Sequence, residues 1–252
     1  MKPRIFYLLL LSVLGLLPAL RVAHSARPAT APTSTAVATD PALEAKLADI
    51  DTRADKIQDF TANFEQKKYT ALLRKPLLSG GVVRVQGAIV RWDTARPEPQ
   101  VLFSDSKEVR MYYPKQKLLE IYPIDERMSD LAASPLPRLG TLRHSFAIER
   151  IPFAEIKVDA PDLVDGPDQV PLRLKPVNAF LKEHVREVRV LLDARTATML
   201  CVTTVDSDGD RTVIRFNDVR LNTGLKPADV QLTAPADVKI SHPLEAAGGG
   251  SK

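Results

Sequence analysis

From residue 69 onward the chain falls into short segments in which apolar and polar residues alternate, joined by connections too short to hold crossover helices. Tyr69 to Lys75, Gly81 to Val85, Ala88 to Asp93, Gln100 to Asp105, Val109 to Tyr113 and Lys117 to Tyr122 are rich in Val, Leu, Ile and aromatic residues, the composition of half-buried strands. Gly80-Gly81, Gln86-Gly87, Arg96-Pro97-Glu98-Pro99, Asp105-Ser106-Lys107 and Pro114-Lys115 punctuate them. Parallel neighbours need a connection of about a dozen residues or more, so these strands are expected to pair antiparallel. A second run comprises Leu172 to Pro176, His184 to Asp193, Thr198 to Val205, Arg211 to Leu221, Val230 to Ala234 and Val238 to Ile240. The total of about eleven strands makes a sheet large enough that it must curl.

Ahead of the strands lies a helix signal. Asp40-Pro41 supplies an N-cap carboxylate and a proline where no amide donor is needed. Leu43, Leu47, Ile50, Ala54, Ile57, Phe60 and Phe64 then recur at steps of three and four, which predicts one apolar stripe on a helix of about seven turns. Glu44, Lys46, Asp49, Arg53, Lys56 and Glu65 occupy the other side. Asp125 to Ala133 reads as a short helix, and Pro135 to Ser145 and Ala160 to Pro171 as loops, an insertion lying over the sheet. The fold class that follows is α+β, mainly antiparallel β, with helices covering one apolar face.

Lys2 and Arg4 precede an apolar run from Ile5 to Leu20 with small residues Ala23 and Ser25 behind it, the pattern of a secretory signal peptide. The run is shorter than the roughly 20 residues that span a bilayer, and no cysteine follows it to be acylated. Residues 1–25 are thus read as a leader cleaved near Ser25/Ala26, and the mature protein as periplasmic. Cleavage removes Lys2, Arg4 and Arg21 from 35 basic residues against 31 acidic ones, so the formal charge falls from +4 to near +1. No basic run longer than Lys67-Lys68 follows, and a nucleic-acid partner is not expected. Residues 26–39 are an Ala/Thr/Pro-rich linker, 40–245 the folded domain, and 246–252 a flexible tail.

The chemistry-bearing residues read as structural. The single Cys201 excludes an intramolecular disulfide framework, and its place between Leu200 and Val202 is that of a small buried hydrophobe. Asp206, Asp208 and Asp210 alternate like the opening of a calcium loop, but Arg211 stands where glycine is needed and Asn217 where a bidentate glutamate is needed. A hairpin turn on Asp208-Gly209 is the expected structure. With no nucleophile elbow or phosphate loop, no enzyme activity, metal or cofactor is expected.

A set of short motifs occurs in order: Phe60 to Gln66 (FTANFEQ), Ser79-Gly80-Gly81-Val82-Val83, Arg91-Trp92, Arg96-Pro97, Gln100-Val101, Ser104-Asp105, Tyr112-Tyr113-Pro114, Val205 to Gly209 (VDSDG) and Leu225 to Lys239. This set, over roughly residues 43 to 240, resembles the periplasmic outer-membrane lipoprotein carrier (LolA-like) family. The resemblance implies an unclosed β-barrel covered by helices, whose apolar cavity shelters lipoprotein acyl chains in transit. It also implies an inner-membrane ABC exporter and an outer-membrane acceptor as partners of a monomeric carrier without catalysis. Burying a lipid chain is worth about 0.8 kcal/mol per CH₂, so acyl chains need such shelter to cross water.

Strand alternation nominates a lining: Val83 and Val85, Val90 and Trp92, Leu119 and Ile121, Val188, Val190 and Leu192, and Ile214 and Phe216, each set alternating with a more polar one. Phe60 and Phe64, at the end of the helical stripe, join them. The sequence departs from the family six residues before the strand tryptophan, where well-studied carriers have an arginine and this chain has Gln86. An alternative reading is a sensor of the same fold that binds stray lipoproteins and regulates an envelope stress response. Such regulators usually carry a second domain, for which the folded segment leaves no room.

Overall fold

The computed structural model describes residues 40–124 and 134–243. The described residues open with helix α1 (Pro41–Ala54) and continue through β1 (Asp59–Tyr69), β2 (Leu77–Gln86), β3 (Ile89–Arg96), β4 (Gln100–Ser104), β5 (Glu108–Tyr113) and β6 (Leu118–Pro123). After the insertion come α2 (Leu139–Leu142), β7 (Phe146–Arg150), α3 (Phe153–Lys157), β8 (Gln169–Pro176), α4 (Ala179–Lys182), β9 (Val185–Asp193), β10 (Thr198–Asp206), β11 (Arg211–Leu221), α5 (Pro227–Val230) and β12 (Lys239–Ser241). The leader, the linker, the expected helix at 125–133 and the tail at 246–252 lie outside the described residues.

The twelve strands of the described residues belong to one sheet in the order β12-β6-β5-β4-β3-β2-β1-β11-β10-β9-β8-β7. Two meanders, β1 to β6 and β7 to β11, are sewn together where β1 pairs antiparallel with β11. The outermost strands, β7 and β12, do not pair with each other, so the barrel is unclosed. The short connections force antiparallel pairing as expected, with one exception: β12 returns after a long crossing and runs parallel to β6.

Helix α1 starts as the sequence dictates, with the Asp40 carboxylate accepting from the Ala42 amide at 2.9 Å and Pro41 in the first turn. It ends at Ala54, short of the expected seven turns. Phe60 and Phe64 lie on strand β1, whose inward residues Phe60, Ala62, Phe64 and Gln66 are buried while Asn63 and Glu65 are exposed. A step of four fits a helix of period 3.6 and a strand of period two equally well. Pairing with both β2 and β11 decides for the strand. The extended segment expected at Tyr69 to Lys75 is the β1–β2 connection, with Tyr69 as the last strand residue. Val230 to Ala234 is likewise not a strand: Val230 closes α5, which Pro227 begins. Strand β7 lies between the two segments read as loops, within the expected insertion.

One face of the sheet, the inner face, carries Trp92 and packs under α1. Leu43, Leu47, Ile50 and Ala54 of α1 share a single apolar cluster with inner residues from β1 to β6 and β7 to β11. A second, smaller cluster lies on the outer face, where α3 and its flanks place Ile151, Ile156 and Ala160 against Leu191, Cys201 and Val213.

Candidate functional site

Register converts the alternation into a surface. Val83 stands across from Trp92 and Val85 across from Val90; Phe60 faces Val85, and Phe64 faces Phe216. On the other half, Val190 is flanked by Leu172 and Val202, and Val188 by Leu174 and Thr204. Phe60, Phe64, Val83, Val85, Val90, Trp92, Val188, Val190, Leu192, Ile214 and Phe216 therefore occupy one continuous apolar face. At its centre the Phe64 and Trp92 rings meet with centroids 4.9 Å apart, Trp92 and Phe216 at 5.9 Å, and Phe60 and Phe216 at 6.5 Å.

Leu119 and Ile121 are not part of that face. Their partners are Tyr112 and Arg110, whereas the inner positions of β5 and β6 are Val109, Met111, Glu120 and Tyr122. The turn at Pro114–Gln116, closed by Lys117 at φ 47°, sets this register, and a shift of one residue exchanges the two faces of a strand. Leu118-Leu119-Glu120-Ile121-Tyr122 holds apolar residues on both sides, so its pattern alone is ambiguous. The inner face consequently carries a carboxylate near its β6 edge. Glu120 accepts a hydrogen bond from the Tyr122 hydroxyl at 2.8 Å. Burial, and after it the charge of Glu120, push the Tyr113 hydroxyl up to about 12.

Several inner residues went unnominated. Val170, Leu172 and Leu174 alternate with Pro171 and Arg173 in β8, and Val109 and Met111 flank Arg110 in β5; each shows the signal that nominated its neighbours. Ala62 and Leu102 carry no such mark, because one is small and the other sits in an almost wholly buried strand.

The roof over this face is clasped from the side. The Asp51 carboxylate of α1 accepts from the amides of Leu139 and Gly140 at 2.9 and 2.7 Å, capping α2. Arg143 forms an ion pair with Glu44 of α1. The face is thus covered by two helices that hold each other, and neither is a strand of the sheet. At the far rim, Asp59 receives the amides of Thr223, Gly224 and Leu225 and the Thr223 hydroxyl at 2.8 to 3.1 Å. Although burial acts to raise it, these bonds hold the Asp59 carboxyl below the ordinary aspartate value. Gln86, at the departure position, donates its side-chain amide to the Leu225 carbonyl. Both residues fasten the segment that crosses from β11 through α5 to β12.

The remaining candidates are structural. Asp206 Oδ1 accepts from the amides of Asp208 and Asp210 at 3.0 and 2.8 Å, with Gly209 at φ 92°, which is the expected hairpin turn. Cys201 is buried on the outer face, and burial pushes its thiol up to about 11.

A sequence model of the family described as outer membrane lipoprotein carrier protein LolA matches residues 55–232, from the end of α1 to just past α5. Outer-membrane lipoprotein carrier protein from Pseudomonas paraeruginosa is 26% identical over 211 residues, covering 82% of this chain and 91% of that one. The protein of the same description from Bordetella avium is 25% identical over 186 residues, covering 73% and 81%. Among solved structures, an uncharacterized conserved protein from Thermus thermophilus aligns over 80% of this chain and 99% of its own, at 13% identity and a TM-score of 0.49.

Proposed function

Since the chain belongs to the outer membrane lipoprotein carrier (LolA) family, we propose that it is a periplasmic carrier that shelters the acyl chains of lipoproteins, or of a similarly lipidated cargo, on the inner face of its open barrel. The observation that carries this reading is the roof: α1 contributes Leu43, Leu47, Ile50 and Ala54 to the cluster under Trp92 without being hydrogen-bonded into the sheet. A helix held by side chains is displaceable where a strand is not, and acyl chains offer the inner face the same apolar contact that the helix withdraws. Loading from an inner-membrane ABC exporter and delivery to an outer-membrane acceptor complete the cycle. Gln86, bound to Leu225, stands where well-studied carriers have an arginine, so closure in this chain is assigned to the Asp51 and Arg143 contacts between α1 and α2. The cleaved leader supplies export, and residues 40–245 the working domain.

The test is native mass spectrometry of protein recovered from its own periplasm, followed by titration with a triacylated peptide. Co-purified acyl species, or stoichiometric binding of the peptide, is the expected result. Protein that is recovered unliganded and does not bind the peptide overturns the assignment.

A further inference from the structure

The connection between β1 and β2 carries the strongest exposed apolar feature of the described residues. Leu72 is 88% exposed and Leu78, just beyond the loop, 61%; Leu73 lies between them, and Ala71 to Lys75 are all exposed. The leucines are held there by a turn rather than hanging loose, because the Leu73 amide donates to the Thr70 carbonyl at 3.1 Å and the Leu72 amide to the Thr70 hydroxyl at 3.2 Å. The Ala71 amide is tied to Asp210 of the neighbouring hairpin at 3.3 Å. Singly exposed leucines are common on protein surfaces, but consecutive ones held in a turn and rimmed by polar side chains mark an interaction surface.

Charge says what that is. Arg74 and Lys75 follow the leucines directly and form no ion pair among the described residues, and Lys67-Lys68 precede them on β1. Behind the loop, on the outer face of the sheet, lies a recess of about 440 Å³ whose lining includes Tyr69, Leu73, Arg74, Lys75, Arg189 and Arg211, so Leu72 is the projecting tip and Leu73 stands half-exposed at its base. Arg189 and Arg211 share the buried Asp159 at 2.8 and 3.1 Å, and Arg189 also pairs with Glu187 at 3.6 Å, so both guanidinium groups are engaged and Arg74 and Lys75 are the cations open to a ligand. A projecting apolar tip flanked by basic side chains, with a basic recess at its base, is a wedge rather than a groove. It matches a lipid surface, with leucines among the acyl chains and lysine and arginine at the phosphate level.

We propose that the β1–β2 loop docks this protein on an anionic bilayer, with Leu72 inserted, Leu73 at the interface behind it, and Arg74 and Lys75 on phosphate headgroups. This contact is separate from the inner face and does not rest on the cargo reading; cargo binding is measured independently by the triacylated-peptide titration.

The experiment places an environment-sensitive nitrobenzoxadiazole label on Leu72→Cys in a Cys201→Ser background of the exported protein without its leader, and on Lys56→Cys at the opposite end of β1 as a control. Vesicles containing phosphatidylglycerol are expected to shift the position-72 emission to the blue with a several-fold rise in intensity. Position 56 stays unchanged, and pure phosphatidylcholine vesicles have little effect. Adding Arg74→Glu and Lys75→Glu is expected to weaken the response about tenfold, and raised salt to weaken it in wild type. A position-72 signal that does not change, that is equal on neutral vesicles, that survives the charge reversal, or that arises only with a protein partner overturns the proposal.

Discussion

The ring of Phe64 meets the indole of Trp92 edge to face, with centroids 4.9 Å apart and planes at 72°. Trp92 is the single tryptophan of the chain and is buried beneath α1 in the cluster that also holds Phe216. Its emission therefore reports the inner face and nothing else. Titration with a triacylated peptide is expected to change the emission maximum and reduce collisional quenching by acrylamide. Emission unmoved at saturating peptide places the acyl chains outside this face.

Asp51 holds α2 to α1 through two amide hydrogen bonds. Asp51→Ala leaves both donors open to water at a cost of about 1 kcal/mol, and the roof opens more often. Amide hydrogen exchange in residues 139–142 should accelerate, and acyl peptide should associate faster, while the far-UV circular dichroism is kept. Unchanged exchange in that segment would show that Asp51 is not a clasp.

Gly81 has no room for a methyl group. A Cβ built there lies 1.9 Å from the Asp93 carbonyl oxygen, at the place where β2 and β3 shift register between Gly80 and Gly81. The obstacle is backbone, so it moves only if the sheet does. Gly81→Ala is expected to cost roughly 3 kcal/mol in urea unfolding, whereas Gly87→Ala, with open space around it, pays only for its positive φ of 57°. Equal losses at the two sites would refute the steric account.

Asp59 makes stability depend on pH in a defined direction. Its folded carboxyl lies below the ordinary aspartate value of 3.8, so its contribution is fully present above that value. That contribution is lost as pH falls from 3.8 through the lower folded value. Asp59→Asn is expected to lose about 1–3 kcal/mol at pH 7, as charged acceptors of backbone amides do. The gap between variant and wild type should narrow below pH 3.8. A gap independent of pH would mean that the charge does not matter.

Cys201 is buried in the outer cluster with its thiol pushed up to about 11. At pH 8 little thiolate is present and access is closed, so an aromatic disulfide reagent should react only at the rate of unfolding and fully in urea. Rapid stoichiometric labelling of the native protein would contradict this.

The line between what was legible in the sequence and what was not runs through particular residues. Alternation at Val83 and Val85, Val90 and Trp92, and Val188 and Val190 needed no structure, because Arg84, Arg91 and Arg189 between them leave one choice of face; beyond Val190 the pattern is ambiguous, since Leu191 is buried on the outer face. The four-residue step from Phe60 to Phe64 satisfies both the helical and the strand period, and Ala62, the inward residue between them, is too small to announce a strand. At Leu119 and Ile121 the strand is apolar on both sides, so its pattern allows either face, and only a turn with Lys117 in the left-handed region decides its register. Neither the Asp51 clasp nor the Asp59 anchor was visible, since each joins residues more than eighty positions apart.

By itself, then, the sequence determined the class of architecture: strands of period two on short connections have no route but antiparallel meanders, and a capped apolar stripe ahead of them has no place but on the sheet. The tertiary structure decided where helix yields to strand, which face β6 turns inward, and how the roof is held. Those outcomes depend on partners distant in the chain, and local pattern carries no term for a neighbour that only folding supplies.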